Sequence, residues 1–433
     1  MAAVQARQTQ LEDTLARFID ALPFIIAAGL FSALMISFTP FQAGSESASE
    51  TASNSANLLG FSALGAISIA ALLGICDMKR LSFLFDPLGF VVIGLLFWSA
   101  RNTPDPSAST RAVLFTLTAA LVAATVILLP RSPEEFARVS LVAISAALGL
   151  SWLGVFIFPN EAIHSGASLE PQHAGLWRGH FIHKNMAGPM MTIFFFYGVY
   201  FWRCGYRWQG ALVALFSFIF VLKTGSKTTL GFLPVAAGAV LLYRLFGSRA
   251  LTIVVSLLFL AFATALSLGS LYAKPLSDLA QTLTGDATFT GRTQLWRYGI
   301  ENILQSPWRG YGFDNFWNTP VVKETELPID ADWDYRGIVN GHNNFIDAGL
   351  FLGVPAAAFV LFLFIVRPFF HYVRATRDPA QVRQADLFLM IAVFCMVDSL
   401  LESFWFRRGD PIWISNFIAV FGLRYLALMP YRR

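Results

Sequence analysis

The chain has 433 residues, 56% of them hydrophobic and only 13% charged, with a formal net charge of +4. A soluble domain carries about a quarter charged residues, so this composition, with a mean hydropathy of +0.58, excludes an ordinary soluble fold. The positive charge is spread over short loops, which is a topology signal and not a nucleic-acid surface. Cys76, Cys204 and Cys395 stand far apart without CxxC pairing, which excludes a disulfide framework and a zinc site.

Backbone groups in hydrocarbon must pair internally, so the repeated apolar runs predict an all-α polytopic membrane protein. Residues 1–20 are polar and mildly amphipathic, unlike a signal peptide, and read as a cytoplasmic segment. About twelve spans follow: nine at roughly 21–41, 58–76, 83–100, 112–130, 139–159, 186–202, 208–222, 229–246 and 250–272. A large outer loop is predicted over 273–345, then spans at 346–366, 385–403 and 411–429 and a cytoplasmic C-terminus.

With the N-terminus inside, the inner loops are short and basic, from Arg7 and Arg17 through Lys79 and Arg80 to Arg432 and Arg433. The first outer loop, QAGSESASETASNSAN, has no basic residue. Several outer positions break the rule: Arg178 and Lys184, Lys223 and Lys227, Arg292, Arg297, Arg309 and Arg336. Cations kept there suit a local anionic partner, or simple contact with headgroup phosphates. His164, His173, His180, His183 and His342 also fall outside, and only His371 falls inside. GxGxxG, P-loop, HExxH, GxSxG and paired-carboxylate signatures are absent, which argues against a nucleotide-driven pump and a zinc or serine hydrolase.

The stretch LWRGHFIHKNMAGPMM, 176–191, meets the membrane from outside with Arg178, His180, His183, Lys184 and Asn185 together. It reads as a basic, anion-binding rim. His180 and His183, three apart on a helix face, with His164, His173, Glu161 and Glu170, would be the donors of a metal site, but the spacing lacks a ligand pattern and no metal is expected.

In the outer loop, Thr290 is placed to cap a helix beginning near Arg292 and ended by Pro307. Leu295, Trp296, Ile300, Ile303 and Leu304 form its apolar stripe, and Arg297 and Glu301 a surface pair. A guanidinium beside free N–H groups in the first turn makes Arg292 a seat for phosphate; the alternative is a reach back to Asp286. Trp308, Tyr311, Phe313, Phe316 and Trp317 suit stacking on sugars and equally an interfacial belt. Asp398 and Glu402, four apart on one face of the eleventh span, read as structural partners for Arg407, Arg408 or the basic rim. Asp347 stays ambiguous, and Arg424 is expected to snorkel.

Four stretches, RGHFIHKNMAG (178–188), TGSKTTLGF (224–232), GRTQLW with SPWRGYGFDNF (291–316) and GHNNFIDAGLFLGVP (341–355), resemble elements of the O-antigen ligase and polymerase superfamily, in this order. The first looks most like the exopolysaccharide polymerases. The resemblance implies a bacterial inner-membrane glycosyltransferase with a periplasmic site and no cofactor. Its implied partners are an undecaprenyl-diphosphate-linked oligosaccharide, a glycan acceptor, membrane lipids and other polysaccharide assembly and export proteins.

On that footing His342 is the expected base and Arg292 the cation facing the leaving diphosphate. Arg178, Lys184, Asn185, Lys223 and Lys227 are expected substrate contacts. Asn343 and Asn344 would fix the imidazole or bind hydroxyls. The rival for this corner is an interfacial cap, with Asn344 capping the tenth span. A ligase acting on a finished glycan would use the same residues. A transporter would instead place its working charges near mid-membrane.

Overall fold

A computed structural model describes residues 2–42, 55–166, 171–326 and 334–429. Much of the first outer loop, Glu170, Arg432 and Arg433 lie outside the described residues. The architecture is a bundle of long helices: α1 (Ala2–Ile36), α2 (Ser55–Gly74), α3 (Pro87–Ala100), α4 (Pro106–Leu128), α5 (Pro133–Ile157), α6 (Lys184–Arg203), α7 (Arg207–Thr224), α8 (Lys227–Leu241) and α9 (Arg249–Ser267). A folded segment follows, holding α10 (Lys274–Thr284) and α11 (Arg292–Gln305), and then come α12 (Asn344–Leu352), α13 (Val354–Ala375), α14 (Val382–Asp398) and α15 (Pro411–Leu428).

Each predicted span is largely helical, yet fewer qualify as spans. Among the described residues, nine helices are long and apolar enough to cross a membrane, or ten if the bent pair Met78–Leu84 and Pro87–Ala100 counts as one. Of the helices on predicted spans, α6, α12 and α14 fall outside that set. Every α14 residue from Gln384 to Asp398 is buried. A helix wrapped by protein can carry Gln384 and Asp386 because its neighbours supply partners. Arg203 on α6 meets Asp386 at 2.6 Å, and Tyr243 and Tyr372 donate to the same carboxylate. Small residues let helices close up: a Cβ on Gly210 of α7 would meet the Trp202 nitrogen of α6 at 2.4 Å.

Two expected boundaries change. The first helix begins well before residue 21, and its membrane-length part is Asp13–Ile36. The expected tenth span is two helices, α12 and α13, broken at Gly353 with φ 77°. Gly310, with φ 63°, lies against the break, and a Cβ there would meet the Leu350 carbonyl oxygen at 2.5 Å. No larger residue fits either backbone without displacing the other.

The segment between α9 and α12 is a packed cap. Leu295, Trp296, Phe316, Trp317, Val322 and Tyr335 form a second apolar core with Leu350, Leu400 and Leu401. The aromatic run is therefore neither a sugar platform nor a belt as a whole: Phe313, Phe316 and Trp317 are buried, and only Trp308 is strongly exposed. Leu304 of the expected apolar stripe is also exposed.

Candidate active site

The site is built where the start of α12 locks onto the turn after α14. Asn343 caps α12, its Oδ1 accepting from the N–H groups of Phe345 and Ile346, while its Nδ2 donates to the Leu400 carbonyl. Asn344 donates to Ser399 Oγ and accepts from the N–H groups of Phe404 and Trp405. The helix cap is thus Asn343, not Asn344, and the side-chain hydrogen bonds of both amides go to the protein itself. Asp347 accepts from Trp317 Nε1, Gly341 N and Ser403 Oγ, which ties cap, helix and turn together. Burial pushes its carboxyl upward, against those bonds and the nearby His342.

The residue between lies in the left-handed region: His342 has φ 46°, held by a bond from its N–H to Asn340 Oδ1 at 3.0 Å. Its ring points at Glu402, with Nδ1 3.2 Å from Oε2. A carboxylate can only accept, so Nδ1 carries a proton, and in the neutral ring the lone pair is then on Nε2.

Arg292 approaches the same carboxylate from the cap. Its Nη2 is 2.9 Å from Glu402 Oε1, and its Nη1 donates to the Leu401 carbonyl. The buried Nε makes no hydrogen bond among the described residues. Asp286, the expected alternative, instead holds its own turn by accepting from Thr288 and Thr290. The α11 N-cap is Gly291, not Thr290, and Thr290 and Phe289 before it both have positive φ.

Glu402 therefore links the two expected catalytic residues. The helix bearing Asp398 ends there, so Glu402 belongs to the following turn and not to a shared helix face. Burial pushes its carboxyl up, but the Arg292 guanidinium and the His342 ring outweigh that and hold it down at about 2. It is an anion at any physiological pH.

The rim residues are placed less uniformly. Glu402 borders a cleft that also touches His183, Asn185, Met186, Arg407 and Asp410. Lys184 adjoins it, with Nζ 3.2 Å from Asn185 Oδ1. The turn carrying exposed Lys223 and Lys227 packs near the start of α6, since a Cβ on Gly188 would meet Ser226 at 3.1 Å. Lys223 also lies over the Trp177 ring, 5.8 Å from its centre. Arg178 is different: it is buried and donates to the carbonyls of Gln42, Phe181 and Ile182.

The histidines separate. His180 and His183 precede α6, so they share no helix face. His180 bonds Ser151 and the Met35 carbonyl, and burial lowers its pKa to about 4. His183 caps α6 and packs with His164 and His173, ring centres 4.8 to 5.8 Å apart. Among the described residues no group of three or more His, Cys, Asp or Glu has a geometry that could hold a metal ion.

Residues 212–361 match the O-antigen ligase family. Over 186 residues the chain is 26% identical to the exopolysaccharide production protein ExoQ of Rhizobium meliloti (strain 1021). Over these stretches the chain is similar to proteins of the O-antigen ligase/polymerase type. The aligned part covers 41% of this chain and 40% of that relative. The family match contains Arg292 and His342 but stops before Glu402. That carboxylate was missed as a functional residue because its partners are about 60 and 110 positions away. The available signal was an acid in an apolar run at a membrane boundary.

Proposed function

We propose that this chain is an inner-membrane glycosyltransferase that joins polyprenyl-diphosphate-linked repeat units into a polysaccharide on the periplasmic side. The observation that carries the reading is the Arg292–Glu402–His342 arrangement, which brings a guanidinium and an imidazole to one carboxylate. The acceptor hydroxyl attacks the anomeric carbon of the donor sugar. Its proton passes to His342 Nε2 as the new glycosidic bond forms, and the bond from the anomeric carbon to the diphosphate breaks. The electron pair leaves with the diphosphate, which needs positive charge and N–H donors. Arg292 Nε–H, Lys184 and Asn185 supply them. Glu402 keeps the His342 tautomer and stabilises the imidazolium that forms.

The match to an O-antigen ligase family and the similarity to an exopolysaccharide production protein support this class of chemistry. A transporter reading finds less support, because the buried pair Arg203–Asp386 is satisfied by its own neighbours, Tyr243 and Tyr372. The test is reconstitution of the purified protein with lipid-diphosphate-linked oligosaccharide, without ATP or an ion gradient. Chains longer than one repeat unit, together with free polyprenyl diphosphate, are expected. Donor consumed without polymer, but with glycan on a separate acceptor, would assign a ligase. Donor moved across the bilayer uncleaved would assign a transporter.

A further inference from the structure

A second cleft shares Ser403 and Arg407 with the first. Its lining is chemically different. The first cleft is lined by Asn185, to which Lys184 is bonded, and by the carboxylate that Arg292 holds. The second presents Asp314, Asn340 and the rings of Phe313, Trp405 and Phe406. Asp314 is half-buried and gives one oxygen to Arg408 at 2.9 Å. That carboxylate can accept hydrogen bonds from hydroxyl groups. An uncharged sugar would donate hydroxyls to it and to the amide, and lay its C–H face on a ring.

Trp405 supplies an independent sign of a ligand. Its ring is buried between Phe345 and Phe364, yet its indole N–H has no acceptor among the described residues. Buried tryptophan N–H groups nearly always find one, and a sugar oxygen would serve. The cleft is also coupled to the chemistry, because Asn340 Oδ1 holds the N–H of His342.

Resting on the proposed transferase reading, we propose that this second cleft is the acceptor subsite, binding the uncharged terminal sugar of the acceptor chain. Asp314 and Asn340 take its hydroxyls, Trp405 donates its N–H, and the reacting hydroxyl passes Ser403 and Arg407 towards His342.

The probe is the oligosaccharide freed by mild acid from the host's own lipid-linked donor. Its binding to the full chain in nanodiscs, read by saturation-transfer NMR, needs no turnover. Binding is expected in wild type and in Arg292→Lys, and about tenfold weaker in Asp314→Ala and in Trp405→Phe, which keeps the ring. In the transfer assay both cleft variants should raise half-saturation for acceptor about tenfold and leave that for lipid-linked donor unchanged. Gel filtration and thermal unfolding identify any variant that fails to fold, and Trp405→Phe is the conservative check. Unchanged probe binding in a folded Asp314→Ala and Trp405→Phe pair overturns the proposal. So does a rise in donor half-saturation, or a wild type that does not bind the probe. A wild type that binds the probe but makes no glycosidic bond overturns the transferase reading and leaves a saccharide site.

Discussion

Replacing Glu402 with Gln keeps the shape and removes the charge that holds Arg292 and His342. The carboxyl is held at about 2 against an ordinary value of 4.5, which corresponds to ~3 kcal/mol of stabilisation. Breaking a buried pair from one side costs ~3–5 kcal/mol because the remaining charge is uncompensated, so the two approaches agree near 3. Because the folded value is depressed, this contribution is complete above pH ~4.5 and is lost as the pH falls through about 2. At pH 3.5 the gap between wild type and Glu402→Gln should narrow by ~1 kcal/mol relative to pH 7. Turnover should fall by ~10²-fold or more, since the imidazolium loses its counter-charge. Thermal unfolding in detergent at the two pH values and the reconstituted transfer assay measure both effects. A variant within twofold of wild-type turnover, or a stability gap that ignores pH, would refute the linking role.

Arg292→Lys keeps one charge but lacks the fork that reaches both Leu401 and Glu402, so turnover should drop at least about tenfold with weaker donor saturation. Asn344→Ala leaves the buried N–H groups of Phe404 and Trp405 without an acceptor, at ~1–3 kcal/mol each, which thermal unfolding should register. Gly353→Ala places a Cβ 2.6 Å from the Trp308 carbonyl carbon at φ 77°, and should lower stability by at least ~1 kcal/mol and depress activity by shifting the cap. Arg178→Lys should lower the unfolding temperature and leave donor half-saturation unchanged, because its guanidinium serves carbonyls; a large change in donor half-saturation would return Arg178 to the rim.

The apolar runs revealed the helices because hydropathy and helical pairing of the backbone act locally. They did not reveal which helices face lipid: α14 is as apolar as a span, and only its packing against α6, α8, α9 and α15 shows that protein surrounds it. The pattern at Arg292 and His342 was legible from local oddities, a cation in a first helical turn and an imidazole at a boundary. The partner of both was not, since bringing Glu402 to them depends on Asn343 and Asn344 gripping the turn after α14. The same limit explains the aromatics. Phe316 and Trp317 look identical to interfacial residues in sequence, and only the cap's own core distinguishes them.

Backbone strain marks the same region. Of the seven non-glycine residues with positive φ among those described, Ser37 and Phe41 follow α1 and the other five lie here: Phe289 and Thr290 precede Arg292, Asp314 and Phe406 border the second cleft, and His342 is the proposed base. Each such conformation costs ~1 kcal/mol or more, so together they rival a sizeable part of a domain's net stability, ~5–15 kcal/mol. Something must hold them, and the cap's apolar core with the Gly310–Gly353 contact is placed to do so. The rigid joint and the strained loops thus form one device: the packing that closes the cap over α12 also holds the imidazole and the guanidinium on a common carboxylate. Loosening the core at a distance, as Trp296→Ala would by removing its bond to the Gly341 carbonyl, should therefore reduce turnover more than it reduces saccharide binding, because the second cleft keeps Asp314 while His342 loses its register.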